Sequence, residues 1–449
     1  MKRYGTSFLL ITAMLLCTSC SGLKTYHLKN GIPVYVKNDT GKKIDAVYIV
    51  VKGGVALLKP EQSGFEEAVF TDMTYASGHF TDTERTQLLN QTRSSILCAS
   101  GENGSSLRLE CIDSYLYKDI PVFTDSFMHP VFNRELFDIL MRNCSQRVSF
   151  MLNDPQSFLL YSAWKNIYSG HPLETQPGVT PESIGNFSLI SLAAFHRTLL
   201  DSRRISVIAA GSMNGPGLVR ELNKTLGTIA SGTGPLRIPE MKDVEVNGPP
   251  VVLTLPAAAG TGFAARVFRT PSVQSDDYIA ADIAARMYSG NLNNVVRVKY
   301  GACYTPATFF YTSHASCGCE FLYNVSDRVH FAAYVKEARD LMASGKLLSS
   351  VGSDGSYGYA DISERLEGFI NSYLTEKYST LQTSSGMAGM LCDALLDTDS
   401  VSTSVGFEKR VRSVTAGDVL RVFRKYWVDG SSRWFAVVGP GDETAIRFD

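Results

Sequence analysis

The sequence has no cluster of basic residues and no marked excess of either charge, with 43 Lys and Arg against 44 Asp and Glu in 449 residues. Nucleic-acid surfaces need a concentrated positive footprint, so binding to nucleic acid is not expected. Beyond residue 16 no stretch is long and apolar enough to make a membrane-spanning helix. An even complement of cysteines is also missing. Past Cys20 seven remain, at 98, 111, 144, 303, 317, 319 and 392, which excludes complete intramolecular pairing. Cys98 and Cys111 flank a Gly/Asn/Ser turn between two strand-like runs, where either a disulfide or two reduced, buried thiols would fit. A metal cluster of recognisable spacing is absent too. His314, Cys317 and Cys319 lack a fourth partner, and strand alternation sets both cysteines on one face, which reads as core packing.

What is present is 44% apolar and 19% charged, which suits two or more globular domains with sizeable cores. Lys2 and Arg3 precede the apolar run Phe8 to Leu16, too short to span a bilayer and of the form of a secretory h-region. Cys17-Thr18-Ser19-Cys20 follows and resembles a bacterial lipobox, although Cys17 stands where Leu is more usual. The expectation is a signal peptide over 1–19, cleavage before Cys20 and lipid on its thiol; an ordinary signal peptide cut nearby is the alternative. On the first reading the mature chain is an exported bacterial lipoprotein, periplasm-facing and tethered to the membrane rather than spanning it.

The chemistry-bearing stretch is Ser289 to Thr305, SGNLNNVVRVKYGACYT. Ser275, Asp276 and Asp277 open a helix with an apolar face of Ile279, Ile283 and Met287, and Gly290 is expected to end it in a left-handed conformation. A second short helix then carries Arg297, the chain turns at Gly301, and Tyr304 begins a strand. A fixed cation and a phenol seven residues apart can hold a peptide carbonyl and stabilise an oxyanion. A surface Arg packed on a Tyr fits the same spacing.

This stretch resembles the pitrilysin, insulinase and mitochondrial processing peptidase group of zinc metallopeptidases, in which a glycine-ended helix precedes an Arg and a Tyr that contact substrate; Arg297 and Tyr304 match those two positions. The start of the chain is similar as well. Strands around the Asn30-Gly31 turn, a longer strand from Asp45 to Lys52, Gly53-Gly54 and a helix entered near Ser63 follow the order of the group's first domain. Active members carry H-x-x-E-H on that helix, two histidines for zinc and a glutamate to activate water. Here those positions are Glu67, Phe70 and Thr71, and the helix from Gly64 to Gly78 contains no histidine. His79 lies beyond it and reads as a lone loop histidine; Glu66 and Glu67 read as a solvated face. The group's third ligand, a glutamate on a later helix, falls near Gln146 and Arg147, just before Asn153-Asp154-Pro155, and no carboxylate occurs between Ile139 and Asn153.

The resemblance implies an α+β fold of two homologous metallopeptidase-like domains, each an antiparallel-rich sheet with helices packed on it, facing each other across a cavity. The first covers 20–230 and has lost the zinc motif. A Gly/Pro/charged linker covers 231–250, and the second domain, 251–449, keeps the Arg/Tyr pair. Within them Ile120 to Met128, Asn133 to Leu152, Val329 to Ala343 and most of Ser356 to Ser400 read as helical, and Ala307 to Tyr323 as a hairpin. His171, before a proline, and His196, in an apolar helix, read as structural. No zinc or other cofactor is expected on this chain, and no catalytic residue acts in it alone. The function implied is a non-catalytic subunit that supplies Arg297 and Tyr304 in trans to a zinc-bearing homologous partner acting on peptides. A peptide-binding or assembly lipoprotein with no role in catalysis is the alternative.

Overall fold

The computed structural model describes residues 22–310, 315–404 and 406–448. Cys17, Cys20 and His314 lie outside the described residues, and with them the leader and lipid-anchor readings. Among the described residues no helix is long and apolar enough to cross a membrane.

The first half runs β1 (Leu23–His27), β2 (Pro33–Asn38), β3 (Ile44–Lys52), α1 (Phe65–Met73), α2 (Asp82–Thr92), β4 (Ser95–Gly101), β5 (Gly104–Ile112), α3 (Leu116–Met128), α4 (Arg134–Asn153), α5 (Pro155–Ile167), α6 (Leu189–Leu199), β6 (Ile205–Gly211) and α7 (Gly215–Leu222). Its sheet has the order β1-β2-β6-β3-β5-β4. The second half runs β7 (Val251–Thr254), β8 (Gly262–Arg269), α8 (Tyr278–Leu292), β9 (Cys303–Phe310), β10 (Cys317–Val325), α9 (Phe331–Ala343), β11 (Lys346–Val351), β12 (Tyr357–Asp361), α10 (Ile362–Leu381), α11 (Ser384–Thr398), α12 (Phe407–Arg412), α13 (Ala416–Phe423) and β13 (Ser432–Val438). Its main sheet is β7-β13-β8-β10-β9.

Apart from β1, which adds an antiparallel edge strand beside β2, the two sheets repeat one another. In each repeat the closing strand pairs in parallel with the opening one (β6 with β2, β13 with β7) and the remaining neighbours pair antiparallel. The sheets are mixed but antiparallel-rich, and helices cover them, which gives the α+β class. Residues 231–250 form no helix or strand, and Val244 and Val246 are buried against the second sheet.

Each sheet is apolar on both faces, and for that reason its strands read as continuous hydrophobic runs. In β3, Val47, Ile49 and Val51 face α1, α3 and α6 of their own half, whereas Ala46, Tyr48 and Val50 face α11 of the other half through Met387, Ala388, Leu391, Cys392 and Leu395. The second sheet does the converse. Its own helices cover Ala264, Phe268 and Leu322, while Phe263, Ala265, Phe321 and Phe435 meet Leu159 and Ala163 of α5. Tyr168, just past α5, donates to the Ala315 carbonyl at 2.8 Å; Tyr48 lies 2.7 Å from the Ser385 hydroxyl across the other contact. A cavity of about 1380 Å³ remains between the halves, where the β4–β5 turn approaches the start of α8 and the end of α11.

One local expectation is corrected and an open one is decided. Gly290 is not left-handed; the helix passes through it and continues into a π-helical stretch, Asn293–Lys299. Cys98 stands opposite Leu107, so Cys111 lies four residues along, roughly 13 Å away at strand rise, and both thiols are free. Most of Ser356 to Ser400 is helical as expected, in α10 and α11, with Tyr357–Asp361 forming β12 against β11.

Because Leu391 covers a sheet belonging to the other half, Leu391→Ala is expected to lower stability by about 2–5 kcal/mol. Hydrogen exchange should show protection lost in β3 and β6, far away in sequence, and not only in α11. Loss confined to α11 would show that the first sheet does not depend on it.

Candidate functional site

The position at which a zinc peptidase of this kind would hold its metal is built from α1 and α4. Phe65, Ala68, Val69 and Met73 bury one side of α1 in the first-half core, which fixes the helix axis and turns Glu67 toward α4. Asn133 caps α4 by accepting from the Leu136 amide at 2.8 Å, and twenty residues of helix then carry Arg147 across to α1. There the Arg147 guanidinium meets the Glu67 carboxylate at 2.8 Å. The positions corresponding to the first and third metal ligands are therefore in contact, but as an ion pair.

This donor set does not fit zinc. Phe70 offers no donor atom and is fully buried, Thr71 brings a neutral hydroxyl, and the Glu67 charge is already met by a guanidinium whose own charge would repel a dication. The nearby thiols do not replace the missing ligands. Burial pushes Cys144 up to about 11 and raises Cys98 as well, and both stay protonated at neutral pH.

The neighbouring carboxylates depart from the sequence reading. Glu66 is buried rather than solvated, 3.4 Å from the Arg204 guanidinium, which in turn donates to the Lys52 carbonyl at 2.9 Å. Burial outweighs that cation and raises the Glu66 pKa. Glu67 is half-buried. His79 is not alone: it reaches Asp125 at 2.6 Å, beside His129. The other histidines and the strand cysteines follow expectation. The His196 side chain is buried and its Nε2 donates to the Phe127 carbonyl at 2.8 Å, His171 bridges its own loop to the Lys242 carbonyl at 2.9 Å, and Cys317 and Cys319 are buried in the core.

The second cluster surrounds Arg297. Val295 and Val296 are buried in the second-half core, while Asn291 of α8 donates to the Ala338 carbonyl and accepts from the Leu348 amide, both at 2.8 Å. These contacts anchor the wide turn on its inner side and leave Arg297 exposed. Lys299 is tied to Glu337 at 2.6 Å, Gly301 reverses the chain with φ 61°, and Cys303 enters the core, so alternation points Tyr304 outward at 61% exposure. The Arg297 guanidinium lies over the Tyr304 ring, 4.9 Å from its centroid. A cation, a phenol and the edge strand β9 thus share one open surface, able to offer directed donors to a carbonyl.

Residues 186–344 match the family model for the peptidase M16 inactive domain. That segment is similar to the M16 inactive domain. The match includes Arg297 and Tyr304 and excludes α1 and α4. Solved structures agree over the whole fold. A protease from Helicobacter pylori superposes with TM-score 0.78 at 14% identity, covering 93% of this chain and 99% of that one. A peptidase M16 inactive domain from Pseudomonas fluorescens gives 0.77 at 12%, covering 93% and 98%. The periplasmic protease PqqL from Escherichia coli gives 0.76 at 13%, with 93% of this chain matching 46% of that longer one. No curated protein sequence matches. The chain shares the fold of these structures, and its residues at the α1 and α4 positions do not fit zinc.

Sequence reasoning did not find Arg147 as the partner of Glu67; their sequence separation carries no signal of contact. It also missed Asp72, which follows Thr71 on α1, is buried with one carboxylate oxygen unpartnered, and is pushed by that burial up to about 7. An unfolded Asp releases its proton near 3.9, so between about pH 4 and 7 the folded state holds a proton that the unfolded state has lost, and stability falls as pH rises through that window. Asp72→Asn removes the effect. At pH 8 the variant should melt about 2–4 °C above the parent, with the difference gone at pH 4. Thermal scans across this range test it; a shift that does not vary with pH would mean that Asp72 ionises like an exposed carboxylate.

Proposed function

We propose that this protein is a non-catalytic subunit which presents Arg297 and Tyr304 to a peptide held by a homologous, zinc-bearing partner. The observation that carries the reading is the contrast between the two clusters in one fold. The metal position is closed by the Glu67–Arg147 ion pair, while the Arg297–Tyr304 pair stays open to solvent beside an edge strand. Zinc would be supplied by the partner. A guanidinium keeps its charge at any physiological pH and a tyrosine hydroxyl is a neutral donor on a rigid ring, so together they can orient a scissile carbonyl next to a metal on another chain.

The alternative is a peptide-binding or assembly lipoprotein. What favours it is that Arg297 already rests on Tyr304, an interaction worth about 0.5–1 kcal/mol at an exposed site, so the pair has a structural use without substrate. The readings separate on variants. Arg297→Ala and Tyr304→Phe should assemble normally with the zinc-bearing partner, yet each should lower peptidase turnover roughly ten- to a thousand-fold, as when one oxyanion-type donor is lost. Assembly, thermal midpoint and turnover should be measured on the same preparations. Full activity in both variants with assembly intact would leave the scaffold reading.

Membrane tethering through Cys20 belongs to the same proposal, since it would hold the complex at one surface. Cys20→Ala should abolish acyl labelling and release the protein into the soluble periplasmic fraction; retained label would assign the anchor elsewhere.

A further inference from the structure

Away from the Glu67–Arg147 position, three potential ligand atoms converge where the end of α3 meets the loop after α1. Asp125, in the last turn of α3, is nearly buried, with its side chain 7% exposed. One of its oxygens accepts the His79 amide at 2.9 Å, which fixes the carboxylate plane. The other oxygen lies 2.6 Å from His79 Nδ1 and 2.7 Å from His129 Nδ1. The two imidazoles meet edge to face at 4.4 Å. Among the described residues, Asp125 has its ion-pair contacts with these two histidines, and no Lys or Arg is paired with it.

The backbone is arranged to permit this convergence. His129 is four residues after Asp125, one helical turn on, so the two stand on the same face of α3. His79 arrives from the other side because Gly78 lies against His129; a Cβ at residue 78 would come within 3.0 Å of the His129 Cβ. The outer edges of the rings are open, with side-chain exposures of 68% for His79 and 49% for His129.

We propose that His79, Asp125 and His129 form a binding site for a first-row divalent cation of the zinc type. Two imidazoles and one carboxylate are a borderline N/O donor set, which suits Zn²⁺ better than Mg²⁺ or Ca²⁺. Binding replaces the protons shared between Asp125 and the rings. A cation with bonds of about 2.0–2.2 Å needs its donors roughly 3.3 Å apart, so the two exposed rings must each move outward by about 0.6 Å. Asp125 stays in place, held by the His79 amide, and water takes the fourth position on the open side. His196 donates from Nε2 to the Phe127 carbonyl and is not one of the three converging residues.

The test is a titration of the metal-stripped full mature chain with Zn²⁺ alone, against a competing chelator. The expected result is one saturable site of micromolar or tighter affinity. His79→Ala and His129→Ala should each weaken it at least ten-fold with an unchanged circular dichroism spectrum, because both rings are largely exposed. Glu67→Ala should leave it unchanged, which separates this site from the family's metal position. Nitrogen-15 spectra of the histidine rings should show the Nδ1 resonances of two histidines shifting together on saturation. No saturable binding up to about 100 µM Zn²⁺, or equal binding by the parent and both histidine variants, would overturn the proposal.

Discussion

The structure depends on an exchange of helices. Neither sheet can be satisfied by its own half, because both faces of each are apolar, and the second face is closed by a helix contributed by the other half: α11 on the first sheet and α5 on the second. Once this exchange is made, the relative placement of the halves is set by side-chain packing rather than by the segment 231–250 that joins them. That segment is itself pinned through Val244 and Val246. The Arg297 surface and the α1–α4 position are then parts of one packed body.

Within that body the contact between α1 and α4 is made by charge. A metal between α1 and α4 would cross-link two helices by drawing anionic ligands together. Here a guanidinium performs the cross-link from within the chain. The contact is half-exposed and so contributes modestly to stability, but it keeps the two helices in register while removing any place for a dication. The buried carboxylates Glu66 and Asp72 owe their raised pKa values to burial, which in Glu66 outweighs the Arg204 cation beside it.

Much of the fold was legible because its signals are local or repeated. The strand from Asp45 to Lys52, the turn between Cys98 and Cys111 and the Ala307 to Tyr323 hairpin all stand in the structure. The Lys346–Asp361 hairpin was not legible, because its strands are short and largely polar. The site was legible in part. Arg297 and Tyr304 could be paired from a seven-residue step, whereas Glu67 with Arg147, and His79 with Asp125, are joined only by tertiary packing across 80 and 46 positions. The solvated reading of Glu66 failed for a related reason: its buried partner, Arg204, lies 138 residues away.

The π-helical stretch at Asn293–Lys299 makes the chain unusually sensitive to length at one point. A wide turn holds more residues per revolution than an α-helix, and each residue of an ordinary helix advances the side-chain direction by about 100°. Losing a single residue between 293 and 296 would let the turn tighten into an α-helix and carry Arg297 about a quarter of the way round the axis, away from the Tyr304 ring and toward the core that now holds Val296. Substitutions at Asn293 or Val298 leave the spacing intact, whereas insertions and deletions do not. For this surface, the count of residues in the turn constrains sequence drift more tightly than their identity.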